Sequence, residues 1–252
     1  MCDFFIDQGR HCAAFLMVIN MKQRVIISWS SGKDSALTLW RLMSDPNYEV
    51  VGLYTTHVDN DVPFQATPIA VVKKQAQLIG LPLVLIALPE VFPANDIYQQ
   101  MIVEGLKNCG LQFDSVAFGD LFCNGIVDYR RQYIEPAGWR CVFPLLGQPS
   151  HQLANEIIEC GIKTKLVTVD STQLDTRFCG RWFDRELLTE LPPTIDLCGE
   201  NGEFHSLVVD GPFYQQPLNL TWLECETDSR FCYQRYTLVE TDSSQYHNDS
   251  IS

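Results

Sequence analysis

An α/β fold, with a mostly parallel, doubly wound sheet followed by a smaller α+β portion, is predicted by three features of the 252-residue sequence. Short apolar runs alternate with amphipathic stretches. The runs are apolar at consecutive positions, as strands covered on both faces should be. Glycines follow the amphipathic stretches, where left-handed helix caps are expected. The expected strands are 25–27, 50–54, 83–88, 116–118, 141–145 and 166–169. Between them Ile69, Val72, Ala76 and Ile79 recur at helical spacing, as do Tyr98, Ile102, Leu106 and Cys109, and later Leu153, Ile157 and Cys160. Gly80, Gly110 and Gly161 close these three stretches. Repeated β-α-β units of this kind build a parallel sheet with helices on both faces. After about residue 170 the periodicity weakens, and Leu191-Pro192-Pro193 breaks any helix. Asn201-Gly202 signals a hairpin turn before the strand-like segment 204–210. The expected organisation is an extension over 1–20, a main domain over 21–145, a smaller portion over 146–225 and a polar tail over 226–252.

Composition narrows the function classes. With 46% hydrophobic and 19% charged residues, a substantial core can form. Lys and Arg number 18 against 31 Asp and Glu, a formal charge of −13. Such a surface repels polyanions, which argues against broad nucleic-acid binding. No apolar run reaches the roughly 18 residues of a membrane span. None of the ten cysteines forms a C-x-x-C pair, and the five histidines show no metal-ligand spacing, so zinc catalysis is not supported. Scattered thiols in a chain of this size suit a reducing, cytoplasmic compartment. The apolar patch 13–19 follows a weakly basic stretch containing Asp3 and Asp7 and makes a poor signal peptide; structure is expected to begin near Met21.

The most informative segment is Ser28-Trp29-Ser30-Ser31-Gly32-Lys33-Asp34-Ser35, between the first strand and a helix expected over 36–43. A loop in this position presents backbone N–H groups and a helix N-terminus to an anion. Gly32 permits close approach, while Ser30, Ser31 and Ser35 supply hydroxyls. Lys33 adds a point charge, and Asp34 can hold Mg²⁺ or cap the helix. By composition alone the segment also reads as an ordinary capped helix start. It is neither a Walker A loop nor the dinucleotide G-x-G-x-x-G pattern.

The stretch Ser30 to Ser35 resembles the SGGKDS signature of the PP-loop ATP pyrophosphatases, with Ser31 in place of Gly. A second stretch, Cys198-Gly199-Glu200-Asn201-Gly202-Glu203-Phe204-His205-Ser206 and onward to Phe213, resembles the GEGGEYET-LVLDAPLF segment of the diphthine–ammonia ligase family. It departs at Asn201, for Gly, and at His205-Ser206, for Glu-Thr. Val116 to Leu121 followed by Tyr129-Arg130-Arg131 is similar to a mid-chain region of the same family. The resemblance covers most of 22–214 and implies the HUP-type PP-loop nucleotide fold, with ATP and Mg²⁺ bound in 21–145 and substrate in 146–225. It further implies a two-step reaction. A substrate carboxylate attacks the α-phosphorus of ATP and releases pyrophosphate; ammonia then displaces AMP to form an amide. The family's acceptor is a modified histidine of translation elongation factor 2, so ATP, ammonium and a carboxylate-bearing acceptor are the expected partners, with no membrane. The oligomeric state is open, a homo-oligomer included.

On this resemblance Lys33, Asp34, Glu200 and Glu203 are the expected catalytic residues, with Asp34 the metal ligand. Ser30, Ser31, Gly32, Lys33, Asp34, Ser35, Thr55 and Asp120 are expected around ATP. Arg130, Arg131, Glu200, Asn201, Gly202, Glu203 and His205 are expected around the substrate. From the residues alone other readings stay open: Thr55 and Thr56 as a plain strand end, Asp120 as a turn residue, Arg130 and Arg131 as a solvated helix face. Likewise Glu200 and Glu203 fit the charged shoulders of a surface hairpin, and His205 a hydrogen-bonded core position. Two further functions fit the loop: a PP-loop enzyme acting on tRNA or another small carboxylate, and a nucleotide-binding module without turnover.

Overall fold

The computed structural model describes residues 21–63, 67–122 and 125–239; the expected extension over 1–20 and the tail over 241–252 lie outside them. The first part of the chain runs β1 (Gln23–Ser28), α1 (Lys33–Ser44), β2 (Tyr48–His57), β3 (Asp61–Val62), β4 (Thr67–Pro68), α2 (Ile69–Ile79), β5 (Leu83–Ala87), α3 (Asn95–Lys107), β6 (Ser115–Ala117), α4 (Ile126–Ile134) and β7 (Arg140–Val142). Then come α5 (Ser150–Glu159), β8 (Lys163–Asp170), a 3-10 turn (Thr176–Phe178), α6 (Arg185–Glu190), β9 (Phe204–Asp210), β10 (Leu220–Thr227) and β11 (Phe231–Leu238).

Five strands form a parallel sheet in the order β5-β2-β1-β6-β7. The central strand explains the consecutive apolar residues. Val25 and Ile27 join a cluster with Leu39 of α1, Val72 of α2 and Leu153 of α5. Ile26, between them, points the other way, into a cluster with Ile102 and Leu106 of α3 and Ile134 of α4. Helices cover both faces, so the sheet is doubly wound as expected. A second, antiparallel sheet has the order β10-β11-β8-β9. The first apolar cluster also takes in Leu166 and Phe204, so one core passes from the parallel sheet into the second sheet.

The polar-tail expectation from residue 226 is corrected over its first part. Residues 231–238 form β11, an internal strand of the second sheet. Cys232 and Gln234 are buried while Phe231, Tyr233 and Arg235 are not. A half-buried antiparallel strand alternates its faces, so a polar composition hides it. Arg230, just before β11, also pairs with the fully buried carboxylate of Asp170 at the end of β8.

Gln75, fully buried on α2, ties the two sheets together. Its Oε1 accepts from Trp29 Nε1 at 3.1 Å and its Nε2 donates to the Val208 carbonyl on β9 at 2.8 Å. Replacing it by an apolar residue strands both partners without water. Gln75→Leu is expected to cost about 2–4 kcal/mol in urea unfolding, from two orphaned buried groups; a loss under about 0.5 kcal/mol would contradict this role.

Candidate functional site

In the parallel sheet the chain leaves β1 toward β2 on one side, while β6 and β7 lie on the other. Open α/β sheets bind ligands in the crevice at such a reversal, beyond the carboxyl ends of the strands. Both expected nucleotide segments exit there: 29–32 follows β1, and Gly119-Asp120 follows β6. A side chain at Gly119 would come within 3.1 Å of the Asp34 backbone, so glycine lets the two exits pack together.

Contacts from both sheets shape the loop. Ser31 is fully buried with φ +65°, its carbonyl accepts from Val208 N–H at 2.9 Å, and its hydroxyl lies 3.4 Å from that of Thr67. The left-handed conformation explains why the signature has Gly there; serine holds it at a cost of about 1 kcal/mol. Gly32 caps α1 without a side-chain hydrogen bond. Instead Ser206 of β9 accepts the Lys33 N–H with its hydroxyl at 3.1 Å. The departure to serine at 206 therefore keeps the hydroxyl this contact needs. Ser35 donates to the Gly32 carbonyl at 2.9 Å, and the Ser30 and Ser35 hydroxyls are 3.2 Å apart. Thr55 donates to the Trp29 carbonyl at 2.7 Å and is 2% exposed, so it braces the loop from behind and has no open side toward a ligand.

Lys33 is buried, with Nζ 2.7 Å from Asp34 Oδ2 and 5.7 Å from the centre of the Phe204 ring. Burial works against its charge, but Asp34, with Glu200 assisting, outweighs it and the ammonium pKa ends above its ordinary value. Burial pushes the Asp34 carboxyl up while Lys33 opposes it. Asp34 Oδ1 is buried without a hydrogen-bond partner. Gly32, Lys33 and Asp34 line one cleft with Cys198, Glu200, Phe204, His205 and Ser206. Burial, then the nearby Asp34 charge, raises the Glu200 carboxyl to about 7. Burial and the Lys33 charge lower His205 to about 4, leaving a neutral imidazole at physiological pH. Burial also raises the Cys198 thiol far above its usual range.

Of Glu200 and Glu203, both expected to be catalytic, only Glu200 lines the cleft. Glu203 is 2% exposed and folds inward. It accepts the Asn201 and Asp196 N–H groups at 2.9 Å each, and Asn201 Nδ2 at 3.0 Å. These hydrogen bonds hold the turn that carries Glu200. Asp196 assists, accepting from Cys198 and Glu200 N–H. Asn201 is exposed and bound to Glu203, and Gly202 has φ +82° and lines the cleft rim. Arg130 and Arg131 diverge. Arg130 turns inward, stacking over Phe118 at 4.7 Å and donating to Asp120 at 3.2 Å. Arg131 is half exposed and pairs with Glu135, one turn along α4, on a solvated face. Sequence reasoning missed Ser206, Asp196 and Gly119. The first two were legible only as an unremarked hydroxyl and an Asx turn; the third needs the fold.

Residues 23–136 match the family described as diphthamide synthase N-terminal domain, and residues 149–240 match diphthamide synthase C-terminal domain. The chain belongs to the diphthamide synthase family. No curated protein matches it significantly in sequence. Among solved structures it is similar to a predicted subunit of tRNA methyltransferase from Methanocaldococcus jannaschii (16% identity, TM-score 0.39, 57% of this chain and 78% of that one). It is also similar to the U34-tRNA thiolase NcsA from Methanococcus maripaludis with its [4Fe-4S] cluster (16% identity, TM-score 0.35, 54% of this chain and 56% of that one).

The site fits the groups this PP-loop family uses. A helix N-terminus beside a buried ammonium suits the phosphates of ATP; Ser206 takes the Lys33 N–H, which leaves the Asp34 and Ser35 amides of the first turn. The unpartnered Asp34 Oδ1 suits Mg²⁺, a hard cation that takes oxygen ligands. Glu200 gives the first test. Below about pH 4.5 both folded and unfolded chains protonate it. Between there and pH 7 only the unfolded chain ionises, so stability falls, and above 7 the penalty is constant. Glu200→Gln should therefore leave stability unchanged near pH 4 and raise it by about 1–3 kcal/mol at pH 8. An equal effect at both pH values, read by denaturant unfolding, would contradict the raised carboxyl.

Proposed function

We propose that the protein is an ATP-dependent amide-forming ligase of the diphthine–ammonia ligase type. The observation that carries this reading is the buried Lys33–Asp34 pair at the start of α1, with Glu200 lining the same cleft. Lys33, charged at all physiological pH, and the Asp34 and Ser35 amides of α1 bind the phosphates and stabilise the charge that develops on departing pyrophosphate. Mg²⁺, when bound, supplies further neutralisation of that charge, with Asp34 the residue suited to hold it. The acceptor carboxylate attacks the α-phosphorus; the bond to pyrophosphate breaks and an acyl-adenylate results. Glu200, poised near neutrality, takes a proton from ammonium, and the ammonia formed attacks the acyl carbon and expels AMP. Arg130 beside Asp120 is suited to the acceptor carboxylate, whereas Arg131 is left in solvent. Cys198, held as a thiol, takes no covalent part. The acceptor this family name supports is the modified histidine of translation elongation factor 2.

Incubation with Mg-ATP, ammonium and that acceptor should yield AMP and pyrophosphate in equal amounts, dependent on ammonium. Lys33→Ala should lower the rate by about 10²–10³ while circular dichroism shows a folded chain. The wild-type rate should rise through about pH 7, and Glu200→Gln should lose that limb. Release of ADP and phosphate, or AMP release that requires tRNA in place of the acceptor, would overturn the assignment.

A further inference from the structure

Away from the ATP cleft, three thiols from separate parts of the second sheet converge. Cys179 follows the 3-10 turn, Cys225 lies on β10 and Cys232 on β11, and their Sγ atoms all lie within 4.8 Å of one another. Their spacing, 46 and 7 residues, matches no sequence motif, which is why the cysteine pattern had suggested none. We propose that Cys179, Cys225 and Cys232 form a thiolate site for a divalent, thiophilic cation of the zinc type.

Four observations support a built site. Thiolates at a metal–sulfur distance of about 2.3 Å in tetrahedral geometry stand about 3.8 Å apart, so each pair closes by no more than about 1 Å. Beside the cluster lies Gln234, 7% exposed, whose amide nitrogen is anchored to the Leu223 and Arg235 carbonyls. That anchoring aims Oε1 toward the cluster, where its contact is the Cys225 thiol at 3.6 Å. Gly180, at φ +78°, makes room for it, since a side chain there would come within 2.3 Å of Gln234 Oε1. Charge also balances. A divalent cation that displaces one proton from each of three thiols leaves a net charge of −1, and the Lys165 ammonium, which feels Cys225 and Cys179, supplies the opposite charge. Lys165 is held between Trp222 and Trp182, with Nζ 4.1 and 5.2 Å from the ring centres.

The test is titration of the reduced full chain with Co²⁺ and Zn²⁺. Expected are one equivalent bound, a thiolate-to-cobalt charge-transfer band that Zn²⁺ removes, and release of protons. Cys225→Ser, at an exposed position and so expected to fold, should weaken binding at least tenfold and lose most of the band. Absence of the band at micromolar metal would overturn the proposal. So would an unchanged band in Cys225→Ser, or, as the sole chemistry, a disulfide detected as loss of two hydrogens by mass spectrometry after peroxide treatment.

Discussion

The site depends on a pair of hydrogen bonds that cross from β9 to the loop after β1. Val208 N–H fixes the Ser31 carbonyl, and the Ser206 hydroxyl takes the Lys33 N–H. With these in place the loop is held on one side by its own parallel sheet and on the other by the antiparallel one. Gln75, bridging Trp29 to Val208, ties the same two bodies behind it. The loop after β1 is thus a joint product of both family domains, and neither sheet alone sets its geometry.

The electrostatics follow from that junction. One ammonium, Lys33, is buried among the carboxyls of Asp34, Glu200 and Asp196. Among buried groups such a surplus of acid is unfavourable unless a proton or a cation offsets it. Glu200 responds by binding a proton up to about pH 7, and Asp34 leaves one oxygen without a partner. Both features are costs to the empty fold, and both suit a site that handles a metal–nucleotide complex and moves a proton.

Much of the fold was legible because strands covered on two faces show as unbroken apolar runs, and helices between them keep a 3.6-residue period. Residues such as Val25, Ile26 and Ile27 carry that information themselves. The second sheet was less visible. In β11, Tyr233 and Arg235 alternate with buried Cys232 and Gln234, and polar side chains on the outer face mask the strand. Within the site, the Ser30 to Ser35 loop announced itself through its spacing. The roles within the second motif did not, because Glu200 and Glu203 share a side-chain chemistry and differ only in direction. Backbone geometry at Gly199 and Gly202, both at positive φ, turns one outward and the other in. Arg130 and Arg131 posed the same problem: adjacent on a helix, they point about 100° apart, and packing places Arg130 over Phe118 while Arg131 stays half exposed.

The central claim is that the triphosphate of ATP lies at the start of α1. A crystal structure with Mg²⁺ and a non-hydrolysable ATP analogue tests it most directly. The account predicts the phosphates against the amides of Asp34 and Ser35, within reach of Lys33 Nζ, with the α-phosphorus open toward Glu200. Phosphates bound elsewhere, with the Lys33–Asp34 pair closed and untouched, would contradict it.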